Sequence, residues 1–173
     1  MTTIFWIIAL LIVVFGFVVF RGAPYVPSKQ SDLKRAFDEL YPLGPNDTLI
    51  DIGSGDGVVL RAAARRGAHA IGYELNPILV WISRFFCRKY QAIEVKLADF
   101  WYVSFSSKTT VIYTFGDARD IAKMAAKVER EATRLQKPLY FISYAFAVPG
   151  RTIEREVGTH KLYKIAPLQP EKP

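Results

Sequence analysis

The chain of 173 residues is poor in the side chains that build disulfides and metal centres. It contains a single cysteine, Cys87, and two histidines, His69 and His160, which are distant in sequence. One cysteine excludes an intrachain disulfide, and no His/Cys cluster has the spacing of a metal site. We therefore predict no metal site. We interpret Cys87 as a small core or helix-face residue and both histidines as structural or surface residues.

Charged side chains are absent from residues 4–20, an apolar run that Gly16 alone interrupts. As a helix this run would be roughly 26 Å long, at the short end of what spans the hydrocarbon core of a bilayer. A cleaved signal peptide is disfavoured because the preceding Met-Thr-Thr carries no basic residue, and a buried core helix is the other alternative. The sequence predicts a retained transmembrane helix within residues 1–22 that contacts the lipid bilayer through residues 4–20.

The net charge of +7 therefore lies entirely after residue 20. The basic residues Arg21, Lys29, Lys34 and Arg35 all follow the apolar run, so the positive-inside rule predicts a single-pass protein whose C-terminal domain faces the cytoplasm, or the topologically equivalent matrix. A basic domain suits an anionic membrane surface, nucleic acid or an acidic protein partner. A solvated basic surface without a specific partner is the alternative.

The rest of the chain alternates between strand and helix patterns. Residues 23–30 form an extended, proline-containing linker, and a helix then begins with Ser31 as its N-cap. We predict further helices at 58–66, 77–90 and 118–135, and strands at 48–52, 68–74, 93–98, 110–115, 139–146 and 159–165. This order predicts a Rossmann-like, doubly wound α/β domain over residues 31–166, with a mostly parallel sheet, helices on both faces and a mobile tail at 167–173.

A glycine-rich loop links the first predicted strand to the next helix. Residues 51–57 read Asp-Ile-Gly-Ser-Gly-Asp-Gly, and the alternating glycines let the backbone turn tightly and approach a ligand. Glu74 ends the second predicted strand, where a carboxylate can accept hydrogen bonds from both hydroxyls of a ribose. Together the loop and the acid predict a site for a nucleoside-containing ligand.

Two differences from known nucleotide-binding motifs narrow the identity of this ligand. The dinucleotide fingerprint read from Gly53 requires a glycine where the chain has Val58, and no phosphate-binding lysine follows the loop. The loop and Glu74 instead resemble motifs I and II of the class I S-adenosylmethionine (SAM) methyltransferases. The resemblance implies that SAM is the cofactor, with its methionine portion on the loop and its ribose on Glu74.

A third element supports this interpretation. Asp99 follows the third predicted strand, where methyltransferases of this type often place an acid that binds the adenine amino group. Phe100 or Trp101 would pack on the adenine ring, although Asp99 could equally cap a loop. The predicted cofactor-binding residues are Asp51, Gly53, Ser54, Gly55, Gly57, Glu74, Leu75, Asn76, Asp99 and Phe100.

The fourth predicted strand leads towards the methyl acceptor. Several families of amino-methylating enzymes carry Asn/Asp-Pro-Pro-Tyr/Phe there, whereas this chain has Tyr-Thr-Phe-Gly-Asp at 113–117. The difference argues against the adenine-N6 DNA and the glutamine methyltransferases. It leaves Thr114 and Phe115 as pocket-lining candidates, with core packing as the alternative for Phe115.

Several stretches together resemble a narrower family. They are Pro-Tyr-Val-Pro at 24–27, the loop at 51–57, Gly-Tyr-Glu-Leu-Asn-Pro at 72–77, Leu-Val-Trp-Ile-Ser-Arg at 79–84 and Asp-Phe-Trp-Tyr-Val at 99–103. They are similar to the small, membrane-anchored lysine methyltransferases that act on the ATP synthase c subunit and the adenine nucleotide translocase. The resemblance implies lysine N-methylation of a membrane protein, but it weakens after Pro149, where substrate contacts cannot be carried over.

Other acceptors stay open at this point. A small-molecule or lipid methyltransferase would use the same anchor, and a catalytically silent SAM-binding membrane protein would keep the same loop. We do not expect a nucleic-acid substrate, because no aromatic–basic RNA motif accompanies the basic charge. We identify no general base. Tyr25, Trp101, Tyr102 and Thr114 are candidates for the wall of the acceptor pocket, where the aromatic rings would offer cation–π contact to an amine.

Overall fold

The structure, a computed structural model, describes residues 3–6, 9, 30–116 and 118–168. Ile4, Phe5 and Trp6 are helical and exposed. Most of the predicted anchor, the linker with Tyr25 and the end of the predicted tail lie outside the described residues. Within the described part of the chain, no helix combines the length and the apolar character needed to cross a membrane.

Seven strands form one sheet with the spatial order β3-β2-β1-β4-β5-β7-β6. The strands are β1 (Thr48–Ile52), β2 (His69–Glu74), β3 (Ile93–Leu97), β4 (Val111–Thr114), β5 (Leu139–Tyr144), β6 (Arg155–Val157) and β7 (His160–Ile165). The first five strands pair in parallel, whereas β7 pairs antiparallel with both β5 and β6. The predicted, mostly parallel Rossmann-like sheet is confirmed.

Four helices and two short turns complete the described fold. The helices are α1 (Gln30–Arg35), α2 (Val58–Ala64), α3 (Pro77–Cys87) and α4 (Ile121–Leu135). A π-helical turn (Ala36–Leu40) continues α1, and a 3₁₀ turn (Phe100–Tyr102) follows β3. The predicted helix start was wrong, because Gln30 is already helical and Ser31 therefore lies inside α1. Three predicted helices run longer than the observed α2, α3 and α4.

Two apolar cores lie on opposite faces of the sheet, because successive strand residues point to alternate faces. Leu49 joins the core that α1 and α2 cover, and the adjacent Ile50 joins the core that α4 covers. Cys87 is buried in the first core, which confirms it as a core residue. Helices therefore cover both faces, as the alternating pattern predicts.

The short strand β6 was not predicted. It pairs with β7 across a tight turn in which Gly158 adopts a φ of +60°. All three β6 residues lack full burial, so the segment carries no continuous apolar signal. Arg155 also links β6 to the π-helical turn, because it donates hydrogen bonds to the carbonyl oxygens of Glu39 and Leu40.

Candidate cofactor and acceptor site

The glycine loop leaves β1 at the point where the strand order reverses between β1 and β4, the usual place for a ligand in an open α/β sheet. Gly53, Gly55 and Gly57 all have positive φ values, of 72°, 53° and 80°. A Cβ on Gly57 would lie 2.5 Å from the Ser83 hydroxyl and 2.8 Å from the Cys87 sulfur. Conformation and space therefore both require glycine at this position.

Glu74 connects the loop to the end of β2. One carboxylate oxygen accepts a hydrogen bond from the Gly55 amide at 3.0 Å, and the other accepts one from the Asn76 amide at 2.8 Å. Each carboxylate oxygen can accept a second hydrogen bond, so the group remains able to bind a pair of hydroxyls. The pair predicted from sequence, the glycine loop and the acid on β2, is thus in direct contact.

Two buried polar atoms beside the loop lack a partner within the described structure. They are a carboxylate oxygen of Asp51 and the hydroxyl oxygen of Ser54. Burial raises the pKa of Asp51 well above its ordinary value, and the nearby carboxylates of Glu74 and Asp56 raise it further. In front of the loop, a Cβ on Gly53 would meet no atom within 4 Å. Unsatisfied polar atoms in the loop, together with the open space in front of Gly53, fit a ligand that carries N–H or O–H donors, as the methionine end of SAM does.

Gly72, in the middle of β2, is a site residue that sequence reasoning did not assign. A Cβ there would lie 2.5 Å from the Ser54 hydroxyl and 2.7 Å from a methyl group of Leu60. The glycine therefore allows the loop to close onto the strand. A glycine inside a buried strand often marks such an approach, and this signal was present in the sequence.

The residues after β2 and β3 line the same edge of the sheet. Asn76 caps α3, because its side-chain oxygen accepts hydrogen bonds from the amides of Ile78 and Leu79. Leu75 and Leu97 are exposed, and Leu97 is the register partner of Glu74. Leu97 was not among the predicted site residues, since a strand-end leucine carries no distinctive signal. The two leucines place apolar surface beside the predicted ribose-binding acid.

Asp99, Phe100 and Trp101 have different environments in the structure. The Asp99 carboxylate accepts a hydrogen bond from the Trp101 amide at 3.0 Å and so caps the 3₁₀ turn. Phe100 is buried in the core next to Phe105, whereas Trp101 remains 38% exposed. Trp101 is thus the more accessible of the two rings proposed to pack on adenine. Adenine binding by these three residues stays a prediction.

The predicted acceptor end of the site, which includes the candidates Thr114 and Phe115, lies at the ends of β4 and β5. Thr114 is buried, with its hydroxyl 3.6 Å from the Met124 sulfur. The ring of Phe115 stacks on that of Tyr144 with centroids 4.6 Å apart, and Tyr144 meets His160 edge-on. Tyr102, another candidate, is 88% exposed. Phe115 and Tyr144 are brought together at the sheet end, whereas Thr114 is packed in the core beneath it.

His160 packs against the ring of Tyr144 and also contacts Tyr113. Its Nε2 lies 3.0 Å from the Tyr113 hydroxyl, and burial lowers its pKa to about 4. It is therefore a neutral, structural residue at physiological pH. His69 is exposed. The interpretation of both histidines as structural or surface residues is confirmed.

The strand order, the helices on both faces and the loop joined to Glu74 define a class I, SAM-dependent methyltransferase. The sequence model of the ANTKMT methyltransferase domain matches residues 51–155, and the chain belongs to this family. SAM is the cofactor of this enzyme class. The predicted family resemblance is therefore confirmed.

Individual relatives agree with this assignment. The chain is 33% identical to the human ATP synthase c-subunit lysine N-methyltransferase over 78% of its own length, and 36% identical to the Xenopus laevis protein over 73%. It spans 57% and 55% of the length of these two relatives. A Salinibacter ruber RNA methyltransferase, solved with S-adenosyl-L-homocysteine, shares the fold, with a TM-score of 0.74 at 24% identity over 85% of this chain and 98% of that one.

Proposed function

We propose that this enzyme methylates the side-chain amine of a lysine in a membrane protein of the ATP synthase c-subunit type. The proposal depends mainly on one observation, the identity of 33–36% to two lysine N-methyltransferases named for that subunit. The matched segments cover about three quarters of the chain, and the family domain at 51–155 includes the glycine loop, Glu74 and both aromatic residues of the acceptor end.

The acceptor end suits an amine. Phe115 follows β4 and Tyr144 ends β5, and β4 lies between β5 and the strand that carries the glycine loop. SAM supplies a methyl group activated on a sulfonium. The stacked aromatic pair would provide an apolar wall, where cation–π contact orients a lysine. Desolvation there would lower its pKa from about 10.4, so that the lysine would release a proton to solvent. The free amine could then accept the methyl group as the bond to the sulfonium sulfur breaks, which would leave S-adenosyl-L-homocysteine.

The proposed acceptor can be tested with labelled SAM, membrane fractions and the full-length chain. We expect label in a protein band and methylated lysine after its hydrolysis. A Glu74→Gln variant should lose most of this label, and Glu154→Gln, an exposed acid on another edge of the domain, should keep it. Label in the lipid extract instead would favour the lipid or small-molecule reading. SAM binding with no label in any fraction would favour a catalytically silent protein.

We also propose that residues 4–20 anchor the enzyme in the bilayer as a single-pass helix, with the catalytic domain in the cytoplasm. The support is the uncharged apolar run and the basic residues that follow it. The protein should resist extraction from membranes by alkaline carbonate. Protease should digest the domain in inverted vesicles and leave it intact in right-side-out vesicles. Extraction by carbonate, or the opposite protease pattern, would contradict the anchor or its orientation respectively.

A further inference from the structure

Helix α3 presents apolar side chains on its solvent-facing side as well as its buried side. Val80, Ser83 and Cys87 are buried against the sheet. On the outside, Trp81 is 71% exposed, and Ile78, Phe85 and Phe86 are each about half exposed. The rings of Trp81 and Phe85 stack with centroids 6.3 Å apart. A surface helix with a contiguous aromatic patch on its exposed side as well as a buried side indicates a surface that is covered in use.

Cations surround this aromatic patch. Arg84, Arg88 and Lys89 lie on α3 or at its end, and Arg65 lies nearby on α2's end, where it donates a hydrogen bond to the Tyr90 hydroxyl. Arg84 bonds to the Val95 carbonyl, and the Arg88 guanidinium lies 4.0 Å from the centroid of the Phe85 ring.

These four side chains make no ion pair with any described carboxylate. Two nearby arginines do have acidic partners: Arg61 on α2 pairs with Asp56, and Arg66, just after α2, pairs with Asp38. The hydrogen bonds of Arg65 and Arg84 go to neutral oxygens, which leave the positive charge uncompensated. The patch therefore combines exposed aromatic rings with cations that are not neutralised within the described structure.

We propose that the solvent-facing side of α3 is an interfacial docking surface for an anionic lipid bilayer. Aromatic rings are favoured at the level of the lipid headgroups, and surface arginines and lysines are attracted to anionic headgroups. A helix that lies in the interface plane has this combination of residues.

Charge argues against two other candidate occupants. The apolar segment 4–20 carries no charge with which to pair the cations. A second copy of the chain docked through the same helix would oppose Arg88 and Lys89 with their own copies. An anionic bilayer satisfies both the rings and the cations at once.

Docking through α3 would also bring the active site close to the membrane surface. The helix begins one residue after Asn76, whose amide holds the Glu74 carboxylate. A bilayer seated on α3 therefore lies next to the cofactor-binding edge of the sheet. This contact goes beyond the proposed function, since it is separate from the predicted anchor and does not depend on the identity of the acceptor.

Tryptophan fluorescence with brominated lipid tests the docking in the full-length chain. The chain has three tryptophans, so Trp6→Phe with Trp101→Phe leaves Trp81 as the reporter. The matched control carries Phe at all three positions and Lys123→Trp, which lies on α4 across the sheet and has a side chain 74% exposed. Circular dichroism confirms that both proteins fold.

We expect brominated phosphatidylcholine vesicles that contain phosphatidylserine to quench Trp81 and to leave the reporter at 123 unquenched. Absence of quenching at 81, or equal quenching at both positions, would overturn the proposal. A blue shift of Trp81 without quenching would also overturn it, because protein rather than lipid would then cover the helix.

Variants that remove positive charges provide a second test of the docking surface. Arg88→Gln with Lys89→Gln should weaken docking to phosphatidylserine vesicles by roughly 25-fold, about fivefold per charge. Lys123→Gln with Lys164→Gln makes the same change in net charge and should have little effect. Equal effects of the two pairs would mean that net charge alone attracts the protein, and would overturn the assignment to α3. Vesicle pelleting reports on the anchor, and methyl-lysine formation reports on the acceptor. Measured separately, they distinguish failure of either proposal from failure of the docking surface.

Discussion

The predicted cofactor end and the proposed acceptor end of the active site are built from different parts of the protein. The cofactor end, between β1 and β2, depends on backbone: three glycines at positive φ and amides that bond to Glu74. The acceptor end, between β4 and β5, depends on side chains, chiefly the stacked rings of Phe115 and Tyr144. A backbone site tolerates few changes, whereas a wall of rings can be altered without loss of the fold. We therefore expect substitutions at the two ends to differ in both size and kind.

The largest effect should come from Gly57→Ala. The new Cβ would clash with the Ser83 hydroxyl and the Cys87 sulfur, and a φ of +80° adds a cost of about 1–2 kcal/mol for an L-residue. We expect unfolding to become easier by about 3 kcal/mol or more, as measured by denaturant titration. Gly44→Ala is the matched control, because its Cβ meets no atom within 4 Å. Equal stability of the two variants would contradict the steric account of the loop.

The next largest effect should come from Glu74→Ala. Hydrogen bonds to a charged group contribute about 1.5–3 kcal/mol, so the dissociation constant for SAM should rise roughly 10- to 150-fold in calorimetry. The variant also releases the Gly55 amide, so Glu74→Gln, which keeps an acceptor oxygen, should bind SAM with intermediate affinity. Glu154→Ala should bind SAM as the original protein does. SAM affinity that is unchanged in both Glu74 variants, with the fold intact, would remove Glu74 from the site.

Substitutions at the acceptor end should change turnover rather than cofactor binding. Phe115→Leu and Tyr144→Leu each remove one ring of the stacked pair. Since aromatic and cation–π contacts contribute about 0.5–2 kcal/mol, we expect kcat/KM for the acceptor to fall roughly 3- to 30-fold. The dissociation constant for SAM should stay within about twofold of the original. A parallel loss of SAM affinity would place these rings at the cofactor end instead.

The contrast between a site built from backbone and one built from side chains also explains which features the sequence could predict. The glycine loop, Glu74 and Asn76 were predictable because turn, close approach and helix cap each demand a particular residue type. Strands β1, β2, β4 and β5 were predictable because buried parallel strands are short apolar runs. Tyr144 was missed, since a tyrosine that ends a strand looks like any other, and its pairing with Phe115 exists only once β4 and β5 are neighbours.

The exposed face of α3 is a feature that the sequence could not predict. Residues 79–84 were quoted as part of a family resemblance, but the sequence alone did not predict whether Trp81 and Phe85 would be buried or exposed. The structure leaves both rings exposed, because the sheet occupies just one side of the helix. Burial depends on which neighbours the topology supplies, and periodicity does not determine them.

The smallest effect should be the pH dependence that Asp51 gives to stability in the absence of cofactor. Burial raises its pKa in the folded protein, so the folded state keeps a proton that the unfolded chain releases above a pH of about 3.9. Stability therefore falls as the pH rises from there towards the raised folded pKa. Asp51→Asn cannot release a proton, so its melting temperature should exceed that of the original protein by a few degrees at pH 8, and by less at pH 5.

Asp38→Asn supplies the control with the opposite sign. The Arg66 guanidinium lowers the pKa of Asp38, so this carboxylate contributes its stability above the unfolded pKa and loses it in acid. Between pH 5 and pH 8 the Asp38 variant should therefore be slightly less stable than the original protein by a constant amount. If the Asp51→Asn variant also differed from the original protein by a constant amount over this range, the Asp51 carboxylate of the original protein would be ionised in the folded state, which would contradict its raised pKa.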